Sequence, residues 1–130
     1  MNKEDHNVLK EAYKILSKIP QYKWIKNKYW NKEIGDDMKC CAMGFYGFKK
    51  KGTVKGGMDD DFMEYTMDLS NVTVRACQDM NIRHPETGGI YGLAANIANI
   101  NDGDVEQYQQ KTPKKRVLAF LKDALELEIE

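Results

Sequence analysis

The stretch Asp36-Asp37-Met38-Lys39-Cys40-Cys41-Ala42-Met43-Gly44-Phe45-Tyr46-Gly47-Phe48 decides how the chain is read. Met38, Cys41, Ala42, Phe45 and Phe48 recur at helical spacing and form one apolar face, while Cys40, Gly44 and Gly47 form a second, very smooth stripe. Asp36 or Asp37 is expected to open this helix, which runs to about Phe48. Two glycines inside a helix cost about 1 kcal/mol each relative to alanine, so close approach of another backbone is the expected compensation. This reading makes it the central helix of a mainly α fold.

Working outward, the first 20 residues predict an amphipathic helix. Val8, Leu9, Ala12, Ile15, Leu16 and Ile19 line one face, Asn2 or Asp5 supplies the cap, and Pro20 stops it. Residues 21–34 interleave four large aromatics with lysines and carry no helical stripe. Tyr22, Trp24, Lys26, Lys28 and Trp30 share one face if the segment is extended, and a turn at Lys26-Asn27-Lys28 gives a short β-hairpin near residues 22–32. On the C-terminal side, residues 49–58 read as a basic, glycine-rich mobile loop. Asp59-Asp60-Asp61 caps the next helix, whose buried stripe is Phe62, Tyr65, Leu69, Val72, Ala76 and Met80, with a break at Ser70-Asn71. Ile90, Leu93, Ala94 and Ile97 predict a fourth helix ending before the turn dipeptide Asp102-Gly103. Thr112 and Pro113 open a last helix with the stripe Val117, Leu118, Leu121, Ala124, Leu125 and Ile129. The expectation is about five helices in a single domain over residues 1–130, with one hairpin at most.

The chain has 130 residues, 42% apolar and 31% charged, which excludes disordered and collagen-like classes. No apolar run approaches the roughly 18 residues that a spanning helix needs, so no membrane role is expected. The N-terminal residues go directly into a charged amphipathic pattern without a signal-peptide core, and the cytoplasm is the expected location. Three cysteines, two of them adjacent, make a poor disulfide framework and fit a reducing compartment. Net charge is zero, but the sum conceals a segregation. Residues 1–57 carry 13 basic and 6 acidic groups, residues 58–104 carry 2 and 9, and residues 105–130 carry 5 and 5.

Each chemical constellation competes with a plainer explanation. Cys40 and Cys41 fall in the first turn of the expected central helix, where the dipole lowers a thiol pKa, yet His6 and His84 are remote and Asp36 and Asp37 oppose ionisation. Buried, space-saving thiols are the better reading. No Cys/His spacing forms a metal site, and no cofactor is expected. Gly88-Gly89-Ile90-Tyr91-Gly92 lacks the strand and order of a dinucleotide fingerprint. An anion at Arg83, Gly88 and Gly89 is the functional alternative to a simple loop-to-helix junction. Base, nucleophile and oxyanion stabiliser cannot be assembled, so no catalytic residue is assigned.

The aromatic segment is where a functional reading competes most seriously. Tyr22, Trp24, Lys26, Lys28, Tyr29 and Trp30 can contact a protein partner, for which Trp and Tyr are favoured. They can also stack unpaired bases between lysines, or simply pin the segment over a helical core.

The order of features resembles a group of small, uncharacterised bacterial and phage proteins. The likeness is carried by Trp24-Ile25-Lys26, by Cys41-Ala42-Met43-Gly44 as a C-x-x-G helix, by Asn101-Asp102, and by the closing Leu-rich helix after Thr112. The doubled cysteine and the lysine-glycine loop depart from the group's pattern. The resemblance implies a small helical, intracellular, phage-encoded accessory protein in which Cys41, Gly44, Asn101 and Asp102 mark the fold, and it carries no activity. The leading expectation is a non-enzymatic protein-interaction module binding another protein or a second copy of itself. One alternative is a nucleic-acid binder using residues 22–32 and the lysine loop 49–55. The other is a small enzyme or anion binder around Cys40, Cys41 and residues 88–92.

Overall fold

In the computed structural model, which describes residues 1–130, six α-helices carry a mainly helical fold. The first, α1 (Lys3–Ser17), opens at Asn2, whose side chain accepts the Asp5 amide at 2.7 Å. It buries Leu9, Ala12 and Leu16 and stops before Pro20.

The central helix, α2 (Ala42–Lys51), begins six residues later than the Asp36 start expected from the sequence. Asp36 and Asp37 lie in a short 3₁₀ turn, and the chain then runs extended to Cys41. The reason is where the backbone bonds go. Cys40 donates to the Lys23 carbonyl (3.1 Å) and accepts from the Ile25 amide (3.0 Å), while Cys41 donates to Tyr29 (3.3 Å) and Lys39 accepts from Asn31 (3.0 Å). Residues 39 and 40 and the Cys41 amide therefore spend their polar groups on residues 23–31, and only the Cys41 carbonyl is left to start the helix, accepting the Phe45 amide at 3.1 Å. The hairpin expected near residues 22–32 is absent for the same reason. The segment does not pair with itself; both of its ends pair with Cys40, Trp24 in parallel and Trp30 antiparallel. Asn27, in left-handed conformation at φ 66°, helps turn the loop between them.

The smooth stripe is used on both of its glycines. At Gly44 the Tyr29 carbonyl of the wrapped loop lies so close that a Cβ would overlap it and also meet Cys40 Cβ at 2.9 Å. At Gly47 a Cβ would stand 2.6 Å from the Phe62 ring, where α2 packs on α3 (Asp60–Asp79). That helix is capped by Asp59, which accepts the Phe62 amide, and it runs through Ser70-Asn71 without the expected break. Asp5 near the start of α1 grips Arg75 near the end of α3 through two bonds of 2.7 and 2.8 Å, so the two helices run antiparallel.

The fourth expected helix is divided. It consists of α4 (Gly88–Tyr91), which ends at left-handed Gly92, and α5 (Ile97–Asn101), which is capped by Asn96. The last helix, α6 (Pro113–Leu125), starts as expected, with Thr112 accepting the Lys115 amide. A single apolar cluster, with Phe45, Phe62 and Phe120 wholly buried, joins α1, α2, α3, α5 and α6. No helix is long and apolar enough to cross a membrane.

Asn101 closes the arrangement from inside this cluster. Its Oδ1 accepts the Ala42 amide at the start of α2 (3.0 Å), and its Nδ2 donates to the Ile25 carbonyl (2.9 Å) and to Asp102 Oδ1 (3.0 Å). Asp102 in turn accepts the Asn27 amide at 3.0 Å. Beneath it, buried Arg116 donates to the carbonyls of Ile100, Asn101 and Gln110, so the last carbonyls of α5 have a cation against them. Burial pulls the Arg116 pKa down, and the charges of Asp102 and Asp104 oppose that.

Two stability measurements test this account. Gly44→Ala should cost about 3 kcal/mol in urea unfolding, because the overlapped atom is backbone; Gly52→Ala, in open space at φ 85°, should cost only about 1 kcal/mol. Asn101→Ala should cost about 3 kcal/mol by leaving the Ala42 amide and Ile25 carbonyl buried without partners; a loss below about 1 kcal/mol would show that the carboxamide does not hold these segments.

Candidate protein-contact surface

The aromatic segment is largely consumed by the fold. Trp24 is 6% exposed, stands 5.9 Å from the Phe45 ring and donates its indole N–H to the Ile19 carbonyl at 3.2 Å. It is therefore a core anchor and not the partner-contact residue expected from the sequence. Trp30 is half-buried edge-on against Phe48 at 5.1 Å, with its indole N–H on the Glu33 carbonyl. Tyr29 is half-buried and packs against Phe62. Only Tyr22, Lys26 and Lys28 of the candidate set stand fully exposed.

The thiols are buried as well. Burial pushes Cys40 up to about 12 and Cys77 up to about 12; Cys41 reaches about 11, with the Met43 and Gly44 amides at the α2 N-terminus drawing it part-way back. At neutral pH all three are therefore protonated and poor nucleophiles. No group of three or more Cys, His, Asp or Glu side chains converges on a point where a metal could sit.

The anion candidates lie in a tightly braced turn. Arg83 pairs antiparallel with Ala94, and the bonds His84 N–H to Leu93 O (2.8 Å) and Ala95 N–H to Ile82 O (3.0 Å) close its base. His84 Nδ1 accepts the amides of Glu86 and Thr87, and the His84 carbonyl accepts that of Gly88. Arg83 Nη1 points to the Gly88 carbonyl at 3.4 Å. Of the candidate donors, the Gly88 amide is thus engaged within the turn, and one Arg83 N–H is directed at a carbonyl. Gly88 is required for contact, since a Cβ there would meet Arg83 Cβ at 2.7 Å.

What this turn presents outward is apolar. Ile90 is 77% exposed, Tyr91 73% and Leu93 51%, three large side chains within four positions. Sequence periodicity assigned Ile90 and Leu93 to a buried helical face, but left-handed Gly92 (φ 68°) ends α4 and turns them away from the core. The legible signal was local: three glycines in five residues, followed by Asn96 and Asn99 as a capping pair, mark two short helices and a corner. Beside the turn lies a polar cleft of about 380 Å³ whose walls include Arg83, Pro85, Asp104 and Glu106.

Compared with known proteins, the chain matches no family model, no curated protein and no solved structure.

The raised thiols set an alkaline limit. A thiol that stays protonated in the folded state while the unfolded chain ionises near 9.0 contributes stability that is complete below that pH. It is lost as pH rises toward 11–12, with a slope of about 1.4 kcal/mol per pH unit for each thiol. Urea midpoints measured upward from pH 9 should therefore fall less steeply for Cys77→Ala than for the parent chain, and equal slopes would refute the assignment.

Proposed function

We propose that this chain is a non-enzymatic protein-interaction module of the cytoplasm whose contact surface centres on Ile90, Tyr91 and Leu93. The observation that carries the reading is the exposure of these three side chains on a turn whose base and interior are closed by backbone hydrogen bonds and by His84. An isolated exposed leucine needs no explanation, whereas adjacent large apolar groups held in one shape lose little further entropy on binding. The buried, protonated thiols support a reducing compartment and argue against nucleophilic chemistry. The nucleic-acid alternative keeps the exposed Lys26 and Lys28 but not the stacking face, because Trp24 is inside the core.

The double variant Ile90→Asp/Tyr91→Asp tests the proposal. Both positions face solvent, so stability should stay within about 0.5 kcal/mol per substitution. Affinity capture with each form, read by quantitative mass spectrometry, should lose a bound protein by about tenfold or more in the variant. Identical capture profiles from the two folded proteins would refute the reading.

A further inference from the structure

At the other end of the antiparallel α1/α3 pair lies the chemical counterpart of this turn. A groove of about 340 Å³ runs between the second half of α1 and the end of α2, floored by Ile15 and Ile19 and rimmed by Lys14, Lys18 and Lys49. None of these three lysines has a carboxylate partner; Glu11, also on the rim, is held by Lys50 at 2.9 Å. The turn leans to the opposite charge. Glu86 lies within it, and Asp104 and Glu106 line the polar cleft beside it together with one cation, Arg83; none of the three carboxylates has an ion-pair partner. No lysine occurs between Lys55 and Lys111, and the arginines of that stretch are Arg75, held by Asp5, and Arg83. An acidic-edged apolar protrusion and a cationic-edged apolar groove thus sit on one chain. They cannot meet within it: the turn follows the C-terminal end of α3, beside the start of α1, and Asp5 and Lys18 are about 20 Å apart along that helix.

We infer that the chain associates head to tail with further copies of itself, the Ile90/Tyr91/Leu93 turn of one seating in the Lys14/Lys18/Lys49-rimmed groove of the next. The inference rests on the proposed interaction function and names its partner. Opposite charge at the rim steers and orients the encounter, and the apolar centre supplies the hold. Because two different surfaces meet, a joined pair still has one free knob, on one copy, and one free groove, on the other. The assembly therefore grows into a chain or a ring and does not stop at a symmetric dimer.

Sedimentation velocity across a concentration series reads this directly. The mean mass of the intact chain should rise past that of a dimer and fall back when salt is raised from about 20 mM to about 500 mM. Ile90→Asp/Tyr91→Asp, lacking the knob, and Lys14→Glu/Lys18→Glu, lacking the groove, should each remain monomeric, with helical circular dichroism and melting unchanged. Mixed in equal amounts, the two variants retain one intact knob and one intact groove between them, and should form a 1:1 complex that grows no further. A monomeric parent chain, association that survives in either variant, or a mixture that fails to pair would each overturn the inference. A monomeric parent whose knob variant still loses a captured foreign protein would overturn the self-association alone. An unchanged capture profile would overturn the interaction function as well.

Discussion

The carboxamide of Asn101 ties the end of α5 at once to the start of α2 and to the wrapped loop. Its oxygen takes the first amide of α2, and its nitrogen holds the Ile25 carbonyl and the side chain of Asp102, which in turn holds the Asn27 amide. A carboxamide has one acceptor and two donor hydrogens, so it can satisfy an amide and two oxygens at once, in a place where water cannot enter. Remove that group and the start of the central helix and the wrapped loop each lose the partner of a polar backbone atom, the Ala42 amide and the Ile25 carbonyl. Arg116 extends the same principle. Its guanidinium is spread over three carbonyls with no carboxylate within ion-pair reach, so a buried charge is held by backbone alone.

The wrapped loop and the knob show the same chain treating aromatic and aliphatic residues in opposite ways. Residues 24–30 look like a binding surface in sequence because tryptophan and tyrosine alternate with lysine, but both indoles find carbonyl partners and lean on phenylalanine rings of the core. The rings act as wedges that keep an irregular loop pressed to α2, leaving the lysines in water. Around residues 90–93 the pattern looked like ordinary helix burial, yet the apolar groups face out. In both places the decisive factor is where the backbone finds its hydrogen bonds, and the side chains follow.

That distinction also explains how much could be read in advance. The stripe of α1, the Thr112-Pro113 start of α6, the Asp59 cap and the smoothness of Gly44 and Gly47 are local patterns, and each appears where periodicity and capping chemistry place it. The start of α2 was misjudged because Asp36 and Asp37 are good caps in isolation, while the true boundary depends on Cys40 pairing with residues 15 or so positions earlier. The hairpin failed for the same non-local reason. The split at Gly92 was visible in the glycine spacing but was overruled by a repeat of apolar residues that happened to cross it. The outward face at Ile90, Tyr91 and Leu93 is therefore not legible in the apolar periodicity of the sequence.

The loop after α2 carries one more consequence. Lys51 is nearly buried, its ammonium donating to the carbonyls of Lys55 and Gly57 and pairing with Asp59 at 2.8 Å. Lys49, Lys50, Lys51 and Lys55 place four tryptic sites next to glycines, a composition that invites proteolysis. Yet the bond after Lys51 ends a helix and its side chain is tied into the loop it would have to leave. Cleavage after Lys51 requires that ammonium to leave the loop, so a basic loop is braced by one of its own lysines.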